Sequence, residues 1–265
     1  MQKISHSLTE IRQIDELARR HSPIHDLHPL AKLLATAVFF LAVLSFNRLE
    51  VLNLLPFLAY PVLAAVLAGI PGRLLVRRVL SVEPFILAVG LINLFFDQEK
   101  IPLGSGVISS GWLALVSLLL KSVLVLSASL ILLMTTGIEK LDLALQRLHL
   151  PRLFCLQLLL TYRYIQVLAE EWARMIRSFR LRAPGQRGIH PRYFGALAGQ
   201  LLLRTMDRAR RIDQAMRLRG FSGVFHAGPQ PRMRAADYLF LLGIAGGSLA
   251  LRLFSLPELL GRFLT

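Results

Sequence analysis

The sequence predicts an all-α polytopic membrane protein: about five spanning helices, plus a non-membrane piece of two long amphipathic helices. Three observations carry that reading. With 54% hydrophobic residues among 265 and a mean hydropathy of +0.55, the chain is too apolar for an ordinary soluble domain. It nevertheless bears a formal net charge of +15. The two facts are compatible because they are segregated: residues 137–235 hold 18 Lys plus Arg against six Asp plus Glu, which is +12 of the +15. The surplus is nearly all arginine, since the lysines are only Lys3, Lys32, Lys100, Lys121 and Lys140. A planar guanidinium suits fork-shaped pairing with carboxylate or phosphate better than general solubility. Cys155 stands alone, which excludes an internal disulfide.

Residues 1–29, with Asp15, Glu16, Arg19, Arg20 and several histidines, read as a cytosolic lead-in without a signal-peptide pattern. Leu30–Phe46 is the first span, with Lys32 placed to snorkel to the interface. Arg48 and Glu50 mark a tight turn. Val51–Gly72 is a second, uncharged span whose Pro56 and Pro61 a membrane helix tolerates. The basic cluster Arg73, Arg77 and Arg78 precedes a third apolar stretch, Val79–Phe96, and Asp97–Gly106 is a polar loop. Val107–Thr136 reads either as one long tilted span or as a loop followed by a span. Tyr238–Leu251, extended to Leu256 if Arg252 snorkels, is the last. A cytosolic N-terminus satisfies the positive-inside rule at all four loops, whereas the inverted orientation violates it twice. That orientation puts residues 30–136 and 236–265 in the plasma (inner) membrane and residues 137–235 in the cytosol.

Within residues 137–235, Glu139–Leu148 reads as a short helix and Pro151 opens a long one ending near Arg182. Its apolar stripe is Leu156, Leu160, Tyr164, Val167, Leu168, Met175 and Phe179, interrupted by Glu171. A second helix, from about Pro191 to Arg219, carries Phe194, Leu197, Leu201, Ile212 and Met216 on one side. Arg204, Arg208 and Arg211 occupy the other. Both helices end in one phrase. Phe179-Arg180-Leu181-Arg182-Ala183 is echoed by Met216-Arg217-Leu218-Arg219-Gly220, and each copy is followed by turn residues. Arginines at i and i+2 do not share a helix face, so they converge on one partner only from a helix end. Two such ends are expected to form a docking surface. The bland alternative is two helix C-termini stabilised by cations facing the dipole, but the arginine surplus exceeds what capping needs. Arg204, Arg208 and Arg211 fit anionic lipid headgroups as well as a partner.

These residues resemble a known family, the transmembrane T component of energy-coupling-factor transporters, and most closely its cobalt-type branch, CbiQ. The resemblance covers nearly the whole chain. It includes Ile14-Asp15, Leu27-His28-Pro29, Lys32, Thr135-Thr136, Pro151, and Tyr162-Arg163-Tyr164 followed by Glu170. The family phrase is Ala-Arg-Gly. Leu218-Arg219-Gly220 matches it with Leu for Ala, while Leu181-Arg182-Ala183 departs at both flanks and keeps the arginine. The resemblance implies that the two phrases, supported by Arg180 and Arg217, dock on a pair of ABC-type ATPase subunits. It also implies that the membrane part grips a separate substrate-binding subunit for cobalt or nickel.

The chain lacks a G-x-x-x-x-G-K-[ST] phosphate loop, so any ATPase activity belongs to partners. No catalytic triad, zinc motif or paired-aspartate magnesium motif is present, and no cofactor is expected. His21, His25 and His28 have no nearby cysteine and are interrupted by Pro23, so they are not read as a metal site. Lys121, deep in an apolar run, either pairs with an intramembrane carboxylate, with Glu83 the nearest such candidate, or marks an interfacial break. Glu170 and Arg174, at i and i+4, support their helix. Gly243 and Gly247 form a small-xxx-small pair suited to close helix packing. The rival class is a membrane-tethered basic scaffold that meets anionic lipid or nucleic acid. The coupling reading expects no nucleic acid, and steep salt dependence would separate the two.

Overall fold

The structure, a computed structural model, describes residues 16–47, 50–96, 100–103, 106–148, 150–182, 190–221 and 232–253. The described residues form two compact units, 16–141 with 232–253 and 142–221. The fold is all-α, as the composition predicts. Among the described residues the one departure is a small antiparallel hairpin, β1 (Lys100–Leu103) and β2 (Gly106–Ser109), pairing Lys100 with Ser109 and Leu103 with Gly106. It settles the open reading of Val107–Thr136: residues 107–109 are strand, and the helix begins at Ser110.

The first unit begins its helices with α1 (Pro29–Leu44). α2 (Val51–Leu67) passes through a 3-10 turn at Leu55–Leu58, where Pro56 lacks the donor an α-helix needs. α3 (Gly72–Phe96) takes the Arg73–Arg78 cluster into its own first turns and carries Pro84 inside. α4 (Ser110–Arg147) is one helical run interrupted at Gly137, and α7 (Ala235–Leu253) closes the unit. Among the described residues α4 and α7 are long and apolar enough to cross a bilayer, with α1 and α2 as shorter apolar helices. The core is Phe39, Val43 and Phe46 of α1 and its exit, Leu54 and Phe57 of α2, and Leu124 and Ala128 of α4. Many leucines point the other way, including Leu41, Leu52, Leu63 and Leu80, which is the outward apolar surface a lipid solvent requires.

α1 runs parallel to α7, and its two ends are tied down electrostatically. At the start, the Asp237 carboxylate accepts the His28 amide at 2.7 Å and the Arg234 amide at 2.7 Å, while His28 Nδ1 accepts from the Leu30 amide at 3.1 Å. At the finish, the free carbonyl of Ser45 takes Arg252 at 3.1 Å and that of Phe46 takes Lys121 Nζ at 2.6 Å. An anion at the positive end and cations at the negative end complement the helix dipole twice over.

Three expectations are corrected here. Lys121 does not pair with Glu83; it caps α1, and Glu83 instead accepts from Ser122 Oγ at 2.8 Å. A helix end offers a carbonyl already lacking a donor, so no carboxylate is needed. Lys32 does not snorkel: it is buried, donating to the Thr135 carbonyl at 2.9 Å and the His25 carbonyl at 3.4 Å. That partner exists because Gly137 adopts φ 70, ψ 158, which removes the helical register that would otherwise satisfy the carbonyls before it. Nor does Arg252 snorkel freely. It stacks over Phe46 at 4.5 Å and pairs with Glu50 at 3.5 Å. At Gly243 and Gly247 nothing described lies within 4 Å of where a Cβ would stand, so the small-residue pair makes no close packing inside the described chain.

Candidate functional site

The second unit is built on an antiparallel hairpin of α5 (Arg152–Arg182) and α6 (Pro191–Leu218). Aromatic pairs zip one half of it: Trp172 meets Phe194 edge-on at 5.7 Å, and Phe179 meets Tyr193 at 5.6 Å. In the other half the predicted stripes line one apolar groove, where Leu156, Leu160, Tyr164 and Leu168 face Ile212 and Met216. Glu171, which breaks the α5 stripe in the sequence, sits at the crossing. It accepts from Arg174 at 2.7 Å on its own helix and from Arg204 at 2.6 Å on the other. These two charged hydrogen bonds hold its carboxyl below the usual carboxylate range. Arg174 hydrogen-bonds Glu171 at i, i+3 and also feels the charge of Glu170 at i, i+4, and Arg204 is committed within the unit.

Antiparallel packing separates the two arginine phrases. α6 has 28 residues; at 1.5 Å per residue the phrases stand roughly 40 Å apart at opposite ends of the hairpin. The two ends expected to form a docking surface are therefore spatially separate. Arg180, Leu181 and Arg182 are exposed at the end of α5; Ala183, the last residue of that copy's motif, lies outside the described residues. Arg217, Leu218, Arg219 and Gly220 are exposed at the end of α6. Arg217 is tied to Asp213 at 3.0 Å. Among the described residues Arg180, Arg182 and Arg219 have no side-chain partner.

The second copy shows how the end is made. Gly220, at φ 81, donates to the Arg217 carbonyl at 3.0 Å, and the Phe221 amide donates to Met216 at 3.0 Å. This double reverse bond stops a helix where one residue turns left-handed, a conformation glycine enters without steric cost. Met216 and Phe221 turn into the groove, and Leu218 and Arg219 are left facing out. In this copy glycine is the stop and the arginine beside it is the tip.

Two further features were not legible in the sequence. Asp142 is buried, with Oδ2 on Gln146 at 2.9 Å and Oδ1 without a nitrogen or oxygen donor among the described residues. The buried Cys155 thiol lies beside it, and burial pushes both the carboxyl and the thiol upward. Only tertiary packing joins these positions. The histidines form no ligand set. His21 contacts Asp26 at 3.4 Å, His28 caps α1, and buried His25 sits between Ser22 Oγ at 2.7 Å and the Leu17 carbonyl at 3.0 Å. Because a carbonyl only accepts, Nε2 carries the His25 proton and Nδ1 accepts from Ser22. Among the described residues no group of three or more His, Cys, Asp or Glu could hold a metal ion.

Fold and site together define a helical membrane protein with a separate basic hairpin. The family profile described as cobalt transport protein, CbiQ, matches residues 20–230, and the chain belongs to that family. It is 29% identical over 161 residues to the nickel permease LarQ of Lactiplantibacillus plantarum, covering 59% of this chain and 55% of that protein. It is 32% identical over 108 residues to the cobalt transport protein CbiQ of Salmonella typhimurium, covering 40% of this chain and 48% of that one. The chain thus spans about half the length of the curated relatives it matches.

Proposed function

We propose that this chain is the energy-coupling transmembrane subunit of an energy-coupling-factor importer. It would link ATP hydrolysis by two ABC-type ATPase subunits to uptake of cobalt or nickel through a separate substrate-binding membrane subunit. The observation that carries the reading is the pair of arginine-tipped helix ends, Arg180–Arg182 and Arg219, whose arginines have no side-chain partner among the described residues and which stand at opposite ends of one hairpin. Two separated anchors suit two partner subunits, and a hairpin held by Glu171 and ring packing would carry their movement as a lever. In this reading the chain is not itself an enzyme. The motif residues are Leu181, Arg182, Ala183, Leu218, Arg219 and Gly220, with Arg180 and Arg217 in support.

The same reading places the chain in the plasma (inner) membrane as a multi-pass protein, with residues 1–29 and the coupling piece 137–235 cytosolic. Spans would lie within 30–136 and 236–265. The parallel course of α1 and α7 supports it, because two helices crossing in the same direction imply an odd number of spans. Cobalt and nickel are the ions carried in the names of the matched relatives.

The test is copurification in mild detergent. Arg182→Glu combined with Arg219→Glu should remove the ATPase subunits while the protein stays folded in the membrane, since truncating one side of a desolvated charged pair costs about 2–5 kcal/mol. Retention of stimulated ATPase subunits by that double variant would end the proposal.

A further inference from the structure

The groove between α5 and α6 is not closed by the hairpin itself. Leu156, Leu160, Tyr164 and Leu168 on one wall, and Ile212 and Met216 on the other, are all only half-buried around a space of about 470 Å³. An apolar trough in the most basic part of the chain is a surface that calls for a cover. The chain carries a segment of matching shape. Residues 1–15, which precede the described residues, place Ile4, Leu8, Ile11 and Ile14 at i, i+4, i+7 and i+10, with polar residues at every position between. On a helix that spacing is a single apolar stripe. At 1.5 Å per residue the stripe is roughly 15 Å long, and the wall from Leu156 to Leu168 roughly 18 Å. The segment also joins the described structure in a suitable state and place. Glu16–Ala18 is helical, and Ala18 stands against Gly137, five residues before the hairpin unit begins at Asp142.

We propose that residues 4–14 dock as a helix along this groove, a strap made from the chain's own N-terminal segment. Ile4, Leu8, Ile11 and Ile14 would cover the apolar walls, and Glu10, beside the stripe, would answer Arg208 on the rim. Tethering favours this occupant as much as shape does. A segment joined to the same chain meets the groove at an effective concentration on the order of millimolar, so modest apolar burial is enough to hold it. A lipid acyl chain would fill the trough but leave the charged rim unmatched. The strap makes the groove a guarded surface: an apolar helix from outside the chain reaches it only by displacing residues 4–14. This inference is independent of the ATPase-coupling role, since it concerns the side of the hairpin and not its arginine tips.

The experiment uses the full chain in phosphatidylcholine nanodiscs, purified without other subunits, with Leu160→Cys reporting on the groove wall. A polar maleimide should label that thiol slowly. Adding Leu8→Asp and Ile11→Asp should raise the rate about tenfold or more, the protection that a tethered segment confers. Gln13→Asp, on the opposite face of the same helix, should leave the rate unchanged. Cys155 is buried, so its failure to label in every variant reports an intact hairpin. Independently, a benzophenone side chain in place of Leu8 should cross-link to residues 156–168 or 205–216, mapped by peptide mass spectrometry. Fast labelling with the unaltered strap would show the groove open and overturn the proposal. Slow labelling that persists in the aspartate variants would assign the groove to lipid and overturn it equally. So would protection that appears only when other membrane subunits are retained, which would make the occupant a partner helix. Cross-links from position 8 that avoid the groove would also end it.

Discussion

Helix ends are treated in opposite ways in the two units. α1 ends with its carbonyls covered by Lys121 and Arg252 and its first amides covered by His28 and Asp237, all from its own unit. α5 and α6 end with arginines that, apart from Arg217, find no side-chain partner among the described residues. Charges that complete a helix dipole internally hold a fold together. Surplus charges at an exposed tip cost little to keep solvated and remain available to a partner. The difference supports the proposed role of the hairpin ends in recognition, whereas the α1 ends are structural clamps.

The comparison breaks most sharply at Asp237. Asp237→Ala leaves the His28 and Arg234 amides without their charged acceptor, and should lower stability in detergent by about 3 kcal/mol. An unchanged thermal midpoint would mean α1 is not clamped there. Arg219→Ala, by contrast, should leave the midpoint where it was.

Gly137 and Gly220 sharpen the contrast next. Gly137 combines φ 70 with ψ 158, a region closed to other residues, and a Cβ there would stand 3.2 Å from that of Ala18. Gly137→Ala should cost about 2 kcal/mol, and Lys32 should lose its carbonyl partner as the break shifts. Gly220, at φ 81, has open space around it, so Gly220→Ala should cost only about 1 kcal/mol. Equal losses in thermal unfolding would contradict this ordering.

His25 gives a pH-dependent term in the membrane unit. Burial lowers its folded pKa below the ordinary 6.5, so the unfolded chain takes up the proton first. Stability is complete above pH 6.5 and falls as pH drops toward the folded value, by at most about 1.4 kcal/mol per pH unit. His25→Asn should flatten that slope in acid titration followed by thermal melting.

The smallest effect belongs to the hairpin. Glu171, with its pKa lowered by Arg174 and Arg204, stabilises above the ordinary carboxylate pKa of 4.5 and loses that contribution as pH falls through its folded value. Its arginine partners are half-exposed, so Glu171→Gln should cost about 0.5 kcal/mol, read by chemical denaturation. A loss several times larger would make Glu171 a structural clamp like Asp237.

The helices of the hairpin are legible in the sequence to within a residue or two, because Pro151 and Pro191 open them and an apolar period, broken in α5 at Glu171, runs through both. It missed what each charged residue touches. For Lys121 the apolar runs offer Glu83 as an intramembrane carboxylate, yet a carbonyl at the end of α1 is its partner in space. Glu171 looked like a blemish in a stripe, and proved to be the point where two helices are pinned. Asp142 beside Cys155 had no spacing signal at all.

By itself, the sequence determined what local physics sets: a helical membrane chain, its charge gathered in residues 137–235, and a repeated Arg-Leu-Arg at two helix stops. Only the tertiary structure decided that the two stops lie at opposite ends of an antiparallel pair, and that Leu181 and Leu218 are left bare while Lys32, Lys121 and Arg252 are consumed as caps. Periodicity fixes which face a residue occupies. Which carbonyls fall open and which neighbouring helix reaches them depend on contacts between residues far apart in the chain, and those contacts are written in no local pattern.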